Sequence, residues 1–353
     1  MEIKNVLLIV LTTFAFSALF IPIVKKIAEF IGAMDIPNER KVHEKPIPRM
    51  GGLAIYGGFL LGYMLFGQHS VQMNAILIGS FIILVTGIFD DIKPIPAKYK
   101  FLAQIVGALV IPLYGKILLQ DISAFGIAVD FGVFAYPVTV LFIVGAVNCI
   151  NLIDGLDGLS SGIASIYFLT IGVIGILLNS AVGLDMTLTF IMLGSTLGFL
   201  VHNFHPAKIF MGDSGSMFLG YIIAVIALLG FKNVTLTSFV VPMFLLAIPV
   251  LDTFFAILRR LINHKPIGMP DKNHLHHQLL NMKLSQTKTV LIIYFVDMLF
   301  AAASVLYVIG DRMLGTNMYG IIIYIVLLLL TLLLVFKTNI IWDHTKKKEE
   351  EKY

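Results

Sequence analysis

Apolar stretches long enough to cross a lipid bilayer recur along this chain from end to end, and no other feature restricts its fold as severely. A helix needs roughly 20 residues to span the hydrocarbon. Runs of about that size lie at 6–24, 51–66, 75–89, 101–115, 133–147, 162–178, 186–201, 216–229, 238–258, 290–309 and 319–336. In lipid every backbone N–H and C=O must find its partner within the protein, which for runs of this length means helices. The pattern predicts an all-α polytopic membrane protein with about eleven transmembrane helices. Water-soluble classes are excluded, because 58% of the residues are hydrophobic and only 13% are charged, with a mean hydropathy of +0.93. The first run follows a single lysine, Lys4, and shows no small-residue cleavage pattern before Pro22, so it reads as a retained helix rather than a signal peptide. Cys149 is the lone cysteine. No disulfide framework is available, and a thiol inside an apolar run reads as a packing residue. No repeat or low-complexity linker divides the chain, so residues 1–353 read as one integral-membrane domain.

Orientation follows from the distribution of the 25 lysines and arginines. In this layout all but Lys4, Lys116, Lys232 and Arg312 lie on the side reached after odd-numbered helices. Positive residues accumulate on the cytoplasmic side, which puts the N-terminus outside and the C-terminus inside. The tail bearing Lys346, Lys347 and Lys348 reads as a solvated terminus near anionic headgroups.

The carboxylates are just as lopsided. Asp90, Asp91, Asp154, Asp157, Asp213 and Asp252 gather at cytoplasmic helix ends, whereas Glu2, Asp121, Asp130, Asp185 and Asp311 are scattered singly outside. Acids at the mouth of a span are expensive, and several at one face repel unless a hard divalent cation joins them. Transporter acids lie near the midplane on broken helices in paired repeats, and crowding at one face argues against that class. Intramembrane aspartyl proteolysis would need two facing acids inside spans. Asp297 lies inside the tenth run and reads as a hydrogen-bonded structural acid, and Asp252 admits the same reading.

Four blocks carry the chemistry. The first is Gly87-Ile88-Phe89-Asp90-Asp91, with Lys98 and Lys100 a few residues on. In the second, Asn148, Asn151, Asp154 and Asp157 recur every third residue, a slowly drifting stripe on a helix whose oxygens suit Mg²⁺, while Gly155 and Gly158 admit a close ligand. The third runs from Asn203 through Pro206, Lys208 and Phe210 to Gly212-Asp213-Ser214-Gly215-Ser216. It delivers a carboxylate to a helix start whose amides favour anions, with Phe210 either a core aromatic or a stacking surface for a base. The fourth is Asp271-Lys272-Asn273-His274-Leu275-His276-His277. Its three histidines lack the further spaced ligand that a zinc tetrahedron needs, which leaves contact with phosphate or sugar. A basic loop from Arg40 through Lys45 to Arg49-Met50-Gly51-Gly52 adds headgroup-seeking charge and a Gly-Gly at a helix start that suits a polyanion.

In this order, across nearly the whole chain, the blocks resemble the polyprenyl-phosphate N-acetylhexosamine-1-phosphate transferase family. The likeness is closest to undecaprenyl-phosphate N-acetylglucosaminyl-1-phosphate transferases of the teichoic-acid and O-antigen type. The alternative is a phospho-N-acetylmuramoyl-pentapeptide transferase, from which the chain departs at Arg49, where a threonine is usual, and at the His-x-His-His pattern of His274, His276 and His277. The resemblance implies transfer of N-acetylglucosamine 1-phosphate from its UDP ester to undecaprenyl phosphate with release of UMP, as the first membrane step of cell-wall or surface polysaccharide synthesis. It implies Asp90 and Asp91 as catalytic residues near the acceptor phosphate, and Asn151 and Asp213 at a Mg²⁺ for which Mn²⁺ can substitute. Asp154, Asp157, Asn203 and Phe210 then line the nucleotide and diphosphate pocket, with Lys45, Lys98 and the three histidines as further substrate contacts. The expected partners are a UDP-N-acetylhexosamine and a polyprenyl-phosphate lipid at the cytoplasmic membrane, with no nucleic acid and with a homodimer allowed.

Overall fold

A computed structural model describes residues 1–37, 45–124, 127–232, 240–264, 266, 274–315 and 318–337. Most of them are helical. In chain order the elements are α1 (Ile3–Ile31), β1 (Met34–Asp35), β2 (Ile47–Pro48), α2 (Gly52–Phe66), α3 (Val71–Ile92), α4 (Ala97–Leu113), β3 (Asp121–Ala124) and β4 (Ile127–Asp130). There follow α5 (Ala135–Ile153), α6 (Leu159–Leu177), α7 (Leu184–Asn203), α8 (Gly212–Lys232), α9 (Val240–Leu245), α10 (Ala247–Ile262), α11 (Leu275–Asn281), α12 (Gln286–Leu314) and α13 (Met318–Lys337).

Apart from the ninth, each apolar run lies on a single helix to within a few residues. Seven helices among the described residues are long and apolar enough to cross a membrane, namely those beginning at Ile3, Val71, Gly132, Leu159, Leu184, Gly212 and Gln286. Here the one from Gly132 includes a 3₁₀ turn leading into α5. The chain is thus a polytopic α-helical membrane protein. α2 is shorter, bounded by Gly51 and Gly67. The ninth run is broken into α9 and α10 at Leu246, with Pro249 just beyond; proline cannot donate to the preceding turn. Sequence periodicity did not predict the two antiparallel hairpins, β1 with β2 and β3 with β4.

The chain divides into two compact units, Met1–Met243 and Phe244–Tyr353. In the first, α8 is buried along almost its whole length, from Met217 through Leu229, with α2, α3, α5, α6 and α7 against it. A helix apolar all round belongs inside a bundle. Because lipid is as apolar as leucine, close approach rather than solvent exclusion holds such helices together. Small residues therefore mark the contacts: a Cβ on Gly52 would lie 2.2 Å from the Gly215 backbone, and one on Gly87 would lie 2.3 Å from that of Ser214. Tyr56, Phe59 and Phe218 lock α2 to α8, with ring centroids 5.0–5.5 Å apart. In the second unit, α12 and α13 pair through Gly320 against Tyr307 and a 2.9 Å bond between the Ser304 and Tyr324 hydroxyls. There Phe255 of α10 packs with Leu251, Leu258, Leu275 and Leu332.

Candidate active site

The N-terminus of α8 is where the first unit concentrates its charge. Gly212 opens it in the left-handed region, at φ 72°, and a Cβ there would sit 2.4 Å from the Asp91 carboxylate. Only glycine lets Asp91 approach so closely. Asp91, at the end of α3, then caps a helix remote in sequence. Its Oδ1 accepts from the Asp213 amide at 2.8 Å, and its Oδ2 accepts from the Ser214 amide at 3.1 Å and the Ser214 hydroxyl at 2.7 Å. Two amide donors of the first helical turn are thereby satisfied.

Asp213 lies in that same turn, facing two cations. Lys100 Nζ donates to Asp213 Oδ2 at 2.9 Å and to Asp90 Oδ2 at 3.2 Å. Asp90 Oδ1 in turn accepts from the Ile95 amide at 2.9 Å, which folds the α3–α4 turn around it. Arg49 stands on the other side, within 3.6 Å of Asp35, 3.4 Å of Asp91 and 3.6 Å of Asp213. Burial opposes its charge, but the Asp91, Asp213, Asp35 and Asp90 carboxylates outweigh that cost and hold the guanidinium above its ordinary value. Its position is built by the backbone. The Arg49 amide donates to Ala33 O, the Phe210 amide to Pro48 O, the Gly51 amide to Phe210 O and the Gly52 amide to Met211 O, all at 2.8–2.9 Å. The segment before α2 is thus zipped to the segment before α8.

Asn151 reaches the same turn from α5, its amide nitrogen donating to Ser216 Oγ at 2.8 Å. That leaves Oδ1 as the atom to offer a cation. Asn148 is tied elsewhere, to Gln104 Oε1 at 2.8 Å. The expected stripe on one helix is shorter than its spacing suggests. α5 ends at Ile153, and Asp154 and Asp157 sit in the following loop, closed by Gly158 at φ 78°. Ser160 donates to Asp154. Burial pushes the Asp154 carboxyl up to about 7, with the Ser160 hydroxyl opposing and Asp213 adding to the rise. Asp157 Oδ2 meets His205 Nδ1 at 2.8 Å and accepts from the Ala207 amide at 3.0 Å. Asn203 is buried and links both loops: its Oδ1 accepts from the Gly158 amide and the Ser161 hydroxyl, and its Nδ2 donates to Ile209 O. These two side chains hold the loops that carry Asp154, Phe210 and Asp213.

The structure therefore brings Asp90, Asp91, Asn151 and Asp213 to one helix end, with Asp154 electrostatically coupled to Asp213 and Phe210 in the adjoining strand-like segment. Lys98 is exposed, its ammonium 4.9 Å above the Tyr99 ring; Lys45 is exposed ahead of β2. Two cations at the acids, Arg49 and Lys100, were not among the expected substrate contacts. Helical geometry separates Lys100 from Lys98 on α4, since residues two apart on a helix point about 160° from one another. A basic side chain near an acidic pair was the available signal, but it did not say which.

The histidines belong to the second unit. His274 Nδ1 lies 2.8 Å from Asp252 Oδ2, with both side chains buried. His276 is buried, and neither of its ring nitrogens has a partner among the described residues; burial, with His277 beside it, pushes it down to about 3, so it is neutral.

Asn151 and Asp213 carry the hard oxygen donors that Mg²⁺ takes. Among the described residues no group of three or more His, Cys, Asp or Glu side chains is arranged to hold a metal unaided. Magnesium takes few protein oxygens and completes its shell with water and substrate phosphates, and Asn151, tied to Ser216 at the start of α8, and Asp213 in its first turn would be the residues to hold it.

Residues 73–231 match the model for glycosyl transferase family 4, a span that holds every expected site residue except Lys45 and the histidines. A Bacillus subtilis protein described as a probable undecaprenyl-phosphate N-acetylglucosaminyl 1-phosphate transferase is 45% identical over 287 residues, covering 80% of each chain. The decaprenyl-phosphate N-acetylglucosaminephosphotransferase of Mycolicibacterium smegmatis is 33% identical over 80% of this chain and 78% of its own. An undecaprenyl-phosphate alpha-N-acetylglucosaminyl 1-phosphate transferase of Yersinia pestis is 29% identical over 85% of this chain and 83% of its own. Together with the acid cluster they settle the family: this chain belongs to glycosyl transferase family 4, among the polyprenyl-phosphate N-acetylhexosamine-1-phosphate transferases.

Proposed function

We propose that this protein transfers N-acetylglucosamine 1-phosphate from UDP-N-acetylglucosamine to undecaprenyl phosphate and releases UMP, opening a surface-polysaccharide pathway at the cytoplasmic face of the membrane. The observation that carries the reading is the end of α8, where Asp90, Asp91 and Asp213 meet Arg49 and Lys100 beside Asn151. The names of the relatives favour this donor over a muramoyl pentapeptide. An oxygen of the acceptor phosphate attacks the β-phosphorus of the donor. The bond from that phosphorus to the bridging oxygen breaks, and the bridging oxygen leaves on UMP. One phosphoanhydride replaces another, so catalysis is largely positioning and charge neutralisation. Asn151 and Asp213 are the residues that would hold Mg²⁺, which when bound neutralises the diphosphate. Lys100, already between Asp90 and Asp213, serves the acceptor or leaving phosphate, and Arg49 serves as a second anion contact.

An apolar groove supports the acceptor assignment. Phe101, Ile105, Leu109 and Leu113 of α4, with Tyr136, Pro137, Val140, Leu141 and Val144 of α5, line a space of about 500 Å³. It begins one residue after Lys100, and we assign it to the prenyl chain. His274, His276 and His277 are assigned to the donor sugar. The reading includes eleven crossings with the N-terminus outside, on the strength of the lysine and arginine distribution, and leaves room for a homodimer. The test is UMP release by the purified chain with undecaprenyl phosphate, Mg²⁺ and either UDP-N-acetylglucosamine or UDP-N-acetylmuramoyl pentapeptide. Release with the first alone is expected; release with the second alone would overturn the donor assignment.

A further inference from the structure

Asp252 has no part in the chemistry above, yet its carboxylate is buried and engaged at both oxygens. Oδ2 lies 2.8 Å from His274 Nδ1, and Oδ1 accepts from the Leu275 amide at 2.8 Å. His274 is the residue before α11, in an extended conformation and with no capping bond from its own side chain. Asp252 therefore reaches from α10 to take the first amide of α11 and the histidine ring together. An ionised carboxylate only accepts hydrogen bonds. The ring nitrogen facing it must be Nδ1–H, whether the imidazole is neutral or charged, and Nε2 is left as the ring atom for a ligand. The same logic, in which the partner of one imidazole nitrogen decides the role of the other, operates in histidine dyads elsewhere.

We propose that Asp252 is the positioning residue of the histidine segment, holding His274 with its proton on Nδ1 so that Nε2 is presented to the N-acetylhexosamine of the donor. The functional half of this inference rests on the reading of the chain as a UDP-N-acetylhexosamine transferase; the dyad itself does not. A capping role alone would make asparagine a harmless replacement, because one amide oxygen suffices for the Leu275 N–H. Under the dyad, asparagine is harmful. With its oxygen on Leu275, its NH₂ faces His274 Nδ1, which must then lose its hydrogen, and Nε2 becomes a donor.

The experiment uses the full chain in nanodiscs with ¹⁵N-labelled histidine, His274 being assigned from the signal lost in His274→Gln, at a pH well above neutral. The parent is expected to show Nδ1–H at His274 and Asp252→Asn the reversed tautomer. Asp252→Asn should raise KM for UDP-N-acetylglucosamine about 10–100-fold at unchanged melting temperature. Asp252→Glu should recover part of the loss, and Asp252→Asn should add nothing in a His274→Gln background. An Nε2–H tautomer in the parent, or a full additional effect of Asp252→Asn on the His274→Gln chain, overturns the proposal. Should the parent release no UMP with this donor, the functional reading fails instead, and the parent spectrum still decides the dyad.

Discussion

Replacing Asp91 separates a helix cap from a chemical group. The parent carboxylate accepts three hydrogen bonds from Asp213 and Ser214 and faces Arg49 at 3.4 Å. In Asp91→Asn one oxygen survives and an NH₂ is turned toward a donor. One buried bond is lost and a donor is left facing a donor, about 2 kcal/mol in all. Asp91→Ala strips every bond and leaves the guanidinium short of a partner, about 4 kcal/mol. At roughly 3 °C per kcal/mol for a unit of this size, the melting temperature falls by about 6 °C and 12 °C respectively. Ser214→Ala removes a single bond and should cost about 1 kcal/mol. Both Asp91 variants lose activity because the turn bearing Asp213 shifts. Thermal unfolding in nanodiscs, measured beside UMP release, reads both effects. If Asp91→Asn melts with the parent and keeps its activity, the cap is not what places Asp213. If it melts with the parent and is inactive, Asp91 acts on substrate directly.

Lys100→Met should lower UMP release on the order of 10²-fold, whereas Lys98→Met should stay within about fivefold of the parent; equal losses would show that the ammonium between Asp90 and Asp213 is not special. Asp90→Asn should show a constant deficit from about pH 5.5 to 9, because a phosphate monoester with a second pKa near 6 is already a dianion over most of that range; a deficit shrinking about tenfold per pH unit as the acceptor loses its proton would make Asp90 a general base instead. On a Cys149→Ala background, Asn263→Cys should be reachable only from the cytoplasm, and labelling by a membrane-impermeant reagent from outside would reverse the orientation.

Hydropathy located the helices because lipid enforces it residue by residue, so the runs at 75–89 and 216–229 foreshadow α3 and α8. It did not see the break at Leu246, which interrupts no apolar composition. The acid blocks were legible as motifs, since glycine at 212 and carboxylates at 90, 91 and 213 are local patterns. Their division of labour was not. Asp91 caps a helix 122 residues away, and Asp157 meets His205 48 residues on; such pairings follow from packing that no local pattern encodes. The partner of Asp252 was unreadable for the same reason, since His274 lies 22 residues later, across a segment whose residues 267–273 lie outside those described. Arg49 was visible as a departure from the muramoyl-type pattern, but its three carboxylate neighbours come from β1, α3 and α8.

A phosphosugar, rather than a sugar, should move at the turn bearing Asp213. UDP-N-acetylglucosamine labelled with ³²P at the β-phosphorus tests it directly, with undecaprenyl phosphate and Mg²⁺, on the parent, on Asp213→Asn and on the parent after exhaustive chelation. The parent should put label in the lipid and release unlabelled UMP into water, with transfer lost by orders of magnitude in the variant and after chelation. Labelled UDP in water with unlabelled lipid, or undiminished transfer by Asp213→Asn shown to be folded, would contradict it.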